Sequence, residues 1–172
     1  MTTRKLAVNA LLAAMCAVLG AISLDFGNLK VTFESLPVLV AALLFGPIDG
    51  LAVGGIGTLL YQVLRYGVTA TTALWILPYI LCGLLTGLYA KKRAYTLSTK
   101  QMAFIMFAMS IMIFALNTLV LYIDSKIYGY YSAVFIFGSM VPRVLICLAK
   151  AAVFTAIMPP LLRAAKRGLG EK

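Results

Sequence analysis

The 172-residue sequence contains no histidine, only five acidic residues and only three cysteines. Without histidine the chain cannot build imidazole metal sites, Ser-His or Cys-His catalytic pairs, or histidine proton relays. The acidic residues are scattered, and no two of them form an obvious acid–base pair. The sequence also lacks the G-x-x-x-x-G-K-[ST] loop, the G-x-S-x-G elbow and the H-E-x-x-H motif. We therefore predict that the chain is not an enzyme and holds no metal and no cofactor.

Charged residues of either sign are scarce as well, at 12% of the chain against 63% hydrophobic residues. A soluble domain carries about 25% charged residues, and so few charges cannot cover a surface that faces water. The net charge of +10 arises from basic residues that cluster between apolar segments. Such clustering indicates membrane topology and argues against a nucleic-acid partner. We predict an all-α integral membrane protein with one transmembrane domain over residues 1–172.

Hydropathy divides the chain into about six apolar segments, and a helix needs roughly 20 residues to span a bilayer. They run over 6–24, 35–66 (broken into two at Gly46-Pro47), 71–90, 102–123 and 133–162. The piece at 35–45 is short and could span only partly. The first segment resembles a signal peptide, but its length favours a retained helix. Pro142 and Pro159-Pro160 predict a kink and an end in the last segment.

The basic residues also predict orientation, because cytoplasmic loops are enriched in Lys and Arg. An N-inside, C-inside chain with an even number of spans leaves only Lys30, Arg65 and Lys126 outside. The polar stretches 25–34, 65–67 and 124–131 then lie together on the external face. The residues predicted to lie inside are Arg4, Lys5, Lys91, Lys92, Arg93, Lys100, Arg163, Lys166, Arg167 and Lys172.

Aromatic and polar residues flank one of these external loops, at 66–72. Tyr61, Trp75 and Tyr79 could stack on a flat heterocycle, while Arg65 and Asn117 could supply directed polar contacts. The alternative is an aromatic belt at the membrane interface, which we favour for residues 128–131.

Two cations, Arg143 and Lys150, lie inside the last apolar segment. They are seven residues apart, so they share one helix face at a separation of roughly 10 Å along the axis. Cations within a membrane usually face a partner, a cavity or water. Arg143 could hold a substrate carboxylate. Alternatively, the two cations form structural ion pairs with Asp49 or Glu34, or Lys150 reaches towards the interface.

Small residues form two patterns on predicted helices. Ala10, Ala14, Ala17 and Ala21 share one face of the first helix, which would let another helix approach closely in lipid. This stripe could dock a separate membrane subunit or pack within the protein. For Gly83-Leu-Leu-Thr-Gly87 we favour internal packing.

Three sequence elements carry a resemblance to a known family. They are Asn28-Leu-Lys-Val-Thr-Phe-Glu-Ser-Leu-Pro37, Leu44-Phe-Gly-Pro-Ile-Asp-Gly50 and Val53-Gly-Gly-Ile-Gly57. Together with Gly67-Val-Thr-Ala-Thr-Thr-Ala-Leu-Trp-Ile-Leu-Pro78, Pro142-Arg143 and the alanine stripe, they resemble the substrate-binding (S) components of energy-coupling-factor (ECF) vitamin transporters, over nearly the whole chain.

The resemblance implies a six-helix bundle in the bacterial plasma membrane that captures a vitamin near the external face. It implies partners as well: a transmembrane coupling protein, which the alanine stripe would contact, and two cytoplasmic ATPases that drive release inside. Within the family the closest likeness is to folate-type S components, with pantothenate or another B vitamin as alternatives. The residues expected to bind substrate are Asp25, Phe26, Lys30, Glu34, Tyr61, Arg65, Tyr66, Trp75, Tyr79, Asn117 and Arg143.

Two other classes of protein remain compatible with the sequence. A stand-alone secondary transporter or channel for a small anionic metabolite would also place cations in the membrane. A membrane scaffold without a ligand would use Arg65 and Arg143 only for stability.

Overall fold

A computed structural model describes residues 3–26, 29–133, 138 and 140–169, and it consists of α-helices with one short β-hairpin. All-helical architecture is thus confirmed for the body of the protein, and the hairpin is the part that hydropathy did not predict. The elements are α1 (Thr3–Ala21), β1 (Leu24–Phe26), β2 (Leu29–Val31), α2 (Ser35–Phe45), α3 (Pro47–Tyr66), α4 (Thr72–Lys92), α5 (Thr99–Ile127) and α6 (Met140–Leu169).

Five of the helices, all except α2, are long and apolar enough to cross a membrane. The shortest of them, α1, has 19 residues, which corresponds to about 28 Å at 1.5 Å per residue. Helix α2 has 11 residues and reaches only about half of that length. It is apolar on all sides and almost wholly buried, so the other helices surround it in place of lipid.

The break between α2 and α3 lies at Gly46-Pro47, as the sequence predicts. Gly46 has a φ of 105°, which favours glycine, and Pro47 opens the first turn of α3, where its missing N–H costs no hydrogen bond. The chain therefore turns back at once, and α2 packs against α3.

Glycines bring α3 and α4 into close contact. A Cβ atom on Gly83 would overlap the carbonyl oxygen of Gly50, and one on Gly87 would overlap the backbone of Pro47. The prediction that Gly83 and Gly87 serve internal packing is therefore confirmed. On the other side of α3, a Cβ on Gly57 would lie 2.5 Å from the Cβ of Cys16 in α1.

Two predicted helix ends are wrong. Helix α5 continues to Ile127, so Asp124 and Lys126 belong to its last turns and not to a connection. Helix α6 runs through Pro159-Pro160 to Leu169, where an end was predicted. Hydropathy reads a charge or a proline as an interruption, whereas a helix in lipid tolerates both if its remaining backbone groups stay hydrogen-bonded.

The hairpin joins α1 to α2 and pairs Leu24 with Val31, Asp25 with Lys30 and Phe26 with Leu29. It occupies the polar stretch that the sequence places between the first two segments. Its second strand leads directly into Thr32 and Glu34, and both of these side chains are buried.

Candidate functional site

A cavity of about 540 Å³ lies near the end of the bundle that carries the hairpin. Helices α3, α4, α5 and α6 form its walls, and the segment after β2 closes one side. Residues of the α3–α4 and α5–α6 connections line it too. The three polar stretches that the sequence groups on one face therefore meet around one cavity, with Thr32 and Glu34 from the first, Tyr66 from the second and Tyr128 and Tyr130 from the third.

Glu34 provides one carboxylate of the cavity and is 4% exposed. Its Oε1 accepts hydrogen bonds from Thr32 Oγ1 at 3.0 Å and from the hydroxyl of Tyr79. Helix α1 makes room behind it, because a Cβ on Gly20 would lie 2.8 Å from Glu34 Oε2. Hydrogen bonds of this kind are needed to hold a charge away from water.

Asp124 provides the second carboxylate. Its Oδ1 accepts from Thr71 Oγ1 at 2.5 Å and from the Trp75 indole nitrogen at 3.4 Å, and its Oδ2 accepts from the hydroxyl of Tyr130. Partial burial, and then the hydrogen bond and charge of Asp124, raise the pKa of Tyr130. The tyrosine therefore keeps its proton at neutral pH and remains the donor.

The two cations of α6, Arg143 and Lys150, both line the cavity. Lys150 Nζ lies 5.9 Å from the centroid of the Phe154 ring. Within the part of the chain that the structure describes, Arg143 makes no hydrogen bond and no ion pair. The alternative in which Asp49 neutralises one of these cations is wrong.

Asp49 is held by other partners, from α1. It forms an ion pair with Lys5 at 2.7 Å and accepts a hydrogen bond from Asn9 at 2.6 Å. Asp49 lies in the first turn of α3, where the partial positive charge of the helix N-terminus also favours it. These contacts fasten α1 to α3 away from the cavity.

Aromatic rings line the remaining walls. Trp75 and Tyr79 lie one turn apart on α4, and Tyr61 and Tyr66 of α3 stand edge to face with their ring centroids 6.0 Å apart. On α5, Asn117 lines the same cavity, and its Oδ1 is buried without a hydrogen-bond partner among the described residues. Flat rings beside an unsatisfied amide oxygen suit a ligand that is planar and donates hydrogen bonds.

The structure brings most of the predicted site residues together. Arg65 is an exception, since its Nη1 donates to the carbonyl oxygen of Ala21 at 3.1 Å and its side chain lines a separate groove of about 240 Å³. The side chains of Asp25, Phe26 and Lys30 lie outside the described part of the hairpin. The predicted residues that line the cavity are Glu34, Tyr61, Tyr66, Trp75, Tyr79, Asn117 and Arg143.

Sequence reasoning missed several polar residues of the cavity. Asp124 was assigned to a connection, although an acid at the end of an apolar helix is itself a signal for function. Tyr128 and Tyr130, assigned to an interfacial belt, line the cavity, whereas Tyr131 packs on Tyr122 and Lys126. Thr69, Thr71, Ser110 and Thr118 carry no sequence signal beyond their hydroxyl groups.

The alanine stripe of α1 is largely accessible. Ala10, Ala14 and Ala21 are exposed, whereas Ala17 is buried at 8% exposure. The stripe therefore lies along the edge of the packed surface of α1. Its role in docking stays a prediction.

Five helices that are long and apolar enough to span a membrane, packed with α2 around a polar, aromatic-lined cavity, define a multi-pass membrane protein. The family model described as "ECF transporter, substrate-specific component" matches residues 4–163, and the chain belongs to this family. S components are transport subunits that bind a vitamin and work with ECF modules in a membrane; they are not enzymes.

Three solved structures share the fold at low sequence identity. The crystal structure of FolT bound with folic acid superimposes with a TM-score of 0.70 at 18% identity, covering 92% of this chain and 90% of that one. The S component of a bacterial ECF transporter gives 0.65 at 22% identity, covering 96% and 99%. The S component for biotin from an ECF-type ABC transporter gives 0.66 at 16%, covering 95% of each chain. The chain matches no curated protein sequence.

Proposed function

We propose that this chain captures a water-soluble vitamin, with folate favoured, at the external face of the bacterial plasma membrane and releases it inside when a partner ATPase module acts. The observation that carries the proposal is the cavity itself. It is large enough for a small molecule, and Arg143 and the Asn117 amide oxygen line it without protein partners among the described residues. A ligand would satisfy both groups.

The chemistry of the cavity favours folate among the vitamins. Trp75 and Tyr79 offer ring faces for stacking against a pterin, and Asn117 offers an acceptor for its N–H groups. Arg143 and Lys150, on one face of α6, offer cations for the carboxylates of the glutamate tail. The solved structure of FolT with folic acid adds support at the level of the fold. Pantothenate, with its single carboxylate, would use only one of the two cations.

The distribution of basic residues supports the proposed direction of import. The helix ends away from the cavity carry Lys91, Lys92 and Arg93 at the end of α4 and Lys166 and Arg167 at the end of α6. Cytoplasmic ends of membrane helices are enriched in such residues. The cavity would then open to the outside, and the partners, a coupling protein and two ATPases, would act from the membrane and the cytoplasm.

Small molecules that copurify with the protein provide the test of this function. The chain is purified in detergent from cells grown with B vitamins, precipitated, and its extract analysed by mass spectrometry beside that of an unrelated membrane protein from the same cells. We expect a folate at close to one molecule per chain. Another B vitamin at that ratio would change the substrate and keep the class, whereas no enriched vitamin would contradict the proposal.

A further inference from the structure

Two connections next to the cavity begin in the same way. Helix α3 ends at Tyr66, next to Gly67, and α5 ends at Ile127, two residues before Gly129. The φ angles of the two glycines are 73° and 75°. Glycine adopts such angles without the penalty that other residues incur. A Cβ at either position would meet nothing within 4 Å, so no described residue beyond the turn itself packs against either glycine. On the C-terminal side of each glycine, a side chain attaches the connection to the bundle through a hydrogen bond: Thr71 after Gly67 and Tyr130 after Gly129.

Both connections are fastened to Asp124. After Gly67, the hydroxyl of Thr71 donates to Asp124 Oδ1, and after Gly129 the hydroxyl of Tyr130 donates to Oδ2. In the first connection, Thr69 also binds to Thr72: its backbone N–H donates to the Thr72 hydroxyl at 2.8 Å, and the two hydroxyls are 2.9 Å apart. One carboxylate thus joins segments that are more than fifty residues apart in sequence.

The carboxylate of Asp124 is stabilised by residues of a neighbouring helix and not by the helix to which it belongs. It lies in the final turns of α5, where the helix dipole disfavours an acid. It faces the first turn of α4 instead, because it accepts from Thr71, the N-cap residue, and from Trp75. Thr71 makes no capping hydrogen bond to its own helix. Its hydroxyl donates to Asp124 and does not make the N-cap hydrogen bond that commonly stabilises the start of a helix.

We propose that Asp124 is a positioning residue that fastens Thr71, in the α3–α4 connection, and Tyr130, at the start of the α5–α6 connection, to each other beside the cavity, so that its hydrogen bonds set how often the cavity opens to water. The idea that opening admits a substrate rests on the function proposed above. The fastening itself is a property of the chain and can be measured without any vitamin.

Cys147 provides the probe, because it lines the cavity and is 8% exposed, whereas Cys16 and Cys82 are 0% exposed against other helices. The detergent-solubilised protein is treated with the membrane-impermeant thiol reagent sulfonatoethyl methanethiosulfonate, and the rate of adduct formation is followed by intact mass. A Cys147→Ser variant shows how much of the signal arises at this residue.

Tyr130→Phe removes only a hydroxyl from a residue that is 45% exposed, so its fold should be intact. A hydrogen bond to a charged group contributes about 1.5–3 kcal/mol, so we expect labelling about tenfold faster or more. Asp124→Asn weakens the hydrogen bonds from both Thr71 and Tyr130, so it should accelerate labelling at least as much. Tyr131→Phe is the matched control, because Tyr131 is the next residue of the same connection and makes no hydrogen bond to Asp124. The labelling rate of this variant should equal that of the wild type.

Equal labelling rates in the wild type, Tyr130→Phe and Asp124→Asn would overturn the proposal, as would a lack of labelling in all three. Should Asp124→Asn fail to fold, Tyr130→Phe against Tyr131→Phe decides alone. If the variants label faster while the protein binds no vitamin, the proposed function fails and the fastening stands. If a vitamin binds and the labelling rates are equal, the proposed function stands and the fastening by Asp124 fails.

Discussion

Arg143 and the Asn117 amide oxygen line the cavity, and the described residues make no hydrogen bond to either of them. The two carboxylates are already engaged: Glu34 by Thr32 and Tyr79, and Asp124 by two hydroxyls and an indole. Engaged groups mainly hold the protein in shape, whereas unused buried groups need a ligand or water to satisfy them. Binding specificity is therefore expected to depend most on Arg143 and Asn117.

Replacing Arg143 with Gln should weaken binding of the vitamin by about 1.5–3 kcal/mol, because a charge-assisted hydrogen bond to a carboxylate would be lost. Isothermal titration calorimetry in detergent measures the change. The matched control is Arg65→Gln, since Arg65 bonds to the Ala21 carbonyl and does not line the cavity. Equal affinity in the two variants would remove Arg143 from the site.

For the helices, the sequence predicted most of the positions, which depend on hydropathy, and little of the way that individual side chains point. The five long helices and the break at Gly46-Pro47 follow from apolar length and turn chemistry. The continuation of α5 through Asp124 does not, because a charge at a helix end looks the same in sequence as a charge in a loop. The different orientations of Arg65 and Arg143 depend on packing, which hydropathy does not contain.

Close packing of α3 on α4 gives a prediction about stability. Gly83→Ala should lower the free energy of unfolding by about 1–3 kcal/mol, because the added methyl would overlap the backbone of Gly50 and force the helices apart. Gly55→Ala is the control on the same pair of helices, where the new Cβ would lie 3.4 Å from the flexible Ile80 side chain. It should be neutral or stabilising by up to about 1 kcal/mol through helix propensity. Melting temperatures in detergent compare the two, and equal shifts would refute the packing argument.

The exposed part of the alanine stripe on α1 gives a prediction about partner docking. Ala14→Trp should leave vitamin binding to the isolated chain intact and abolish uptake into vesicles that contain the coupling protein and the ATPases, because a bulky side chain keeps a second helix away. Met15→Trp is the control, since Met15 is also exposed but lies about 100° around the helix. Uptake that survives in the Ala14 variant would show that the stripe is not the docking surface.

For the whole molecule, the ends of the bundle differ in charge and in structure. The cavity, the hairpin and the two connections that begin with Gly67 and Gly129 share one end. At the other, Lys5 pairs with Asp49 and the Arg4 side chain donates to the Gly168 carbonyl oxygen, so the first and last helices are tied there. A bundle that has a polar cavity at one end and basic residues at the other suits the proposed capture on one side of a membrane and work by partners on the opposite side.

This arrangement predicts which loops are accessible in intact cells. A cysteine that replaces Val68, which is 84% exposed in the α3–α4 connection, should react with an impermeant maleimide added outside. A cysteine at the exposed Lys100 position, at the start of α5, should react only after the membrane is permeabilised. The reverse pattern would mean that the cavity faces the cytoplasm, and import would then be the wrong direction.

Calorimetric titration of the wild-type chain, purified and freed of any bound vitamin, with folate, pantothenate, riboflavin and biotin tests most directly whether the cavity is a vitamin site. We expect one vitamin, with folate first, to bind at one molecule per chain with a dissociation constant below micromolar, which is a binding free energy more favourable than about −8 kcal/mol. No binding of any of these vitamins below micromolar concentration would contradict it.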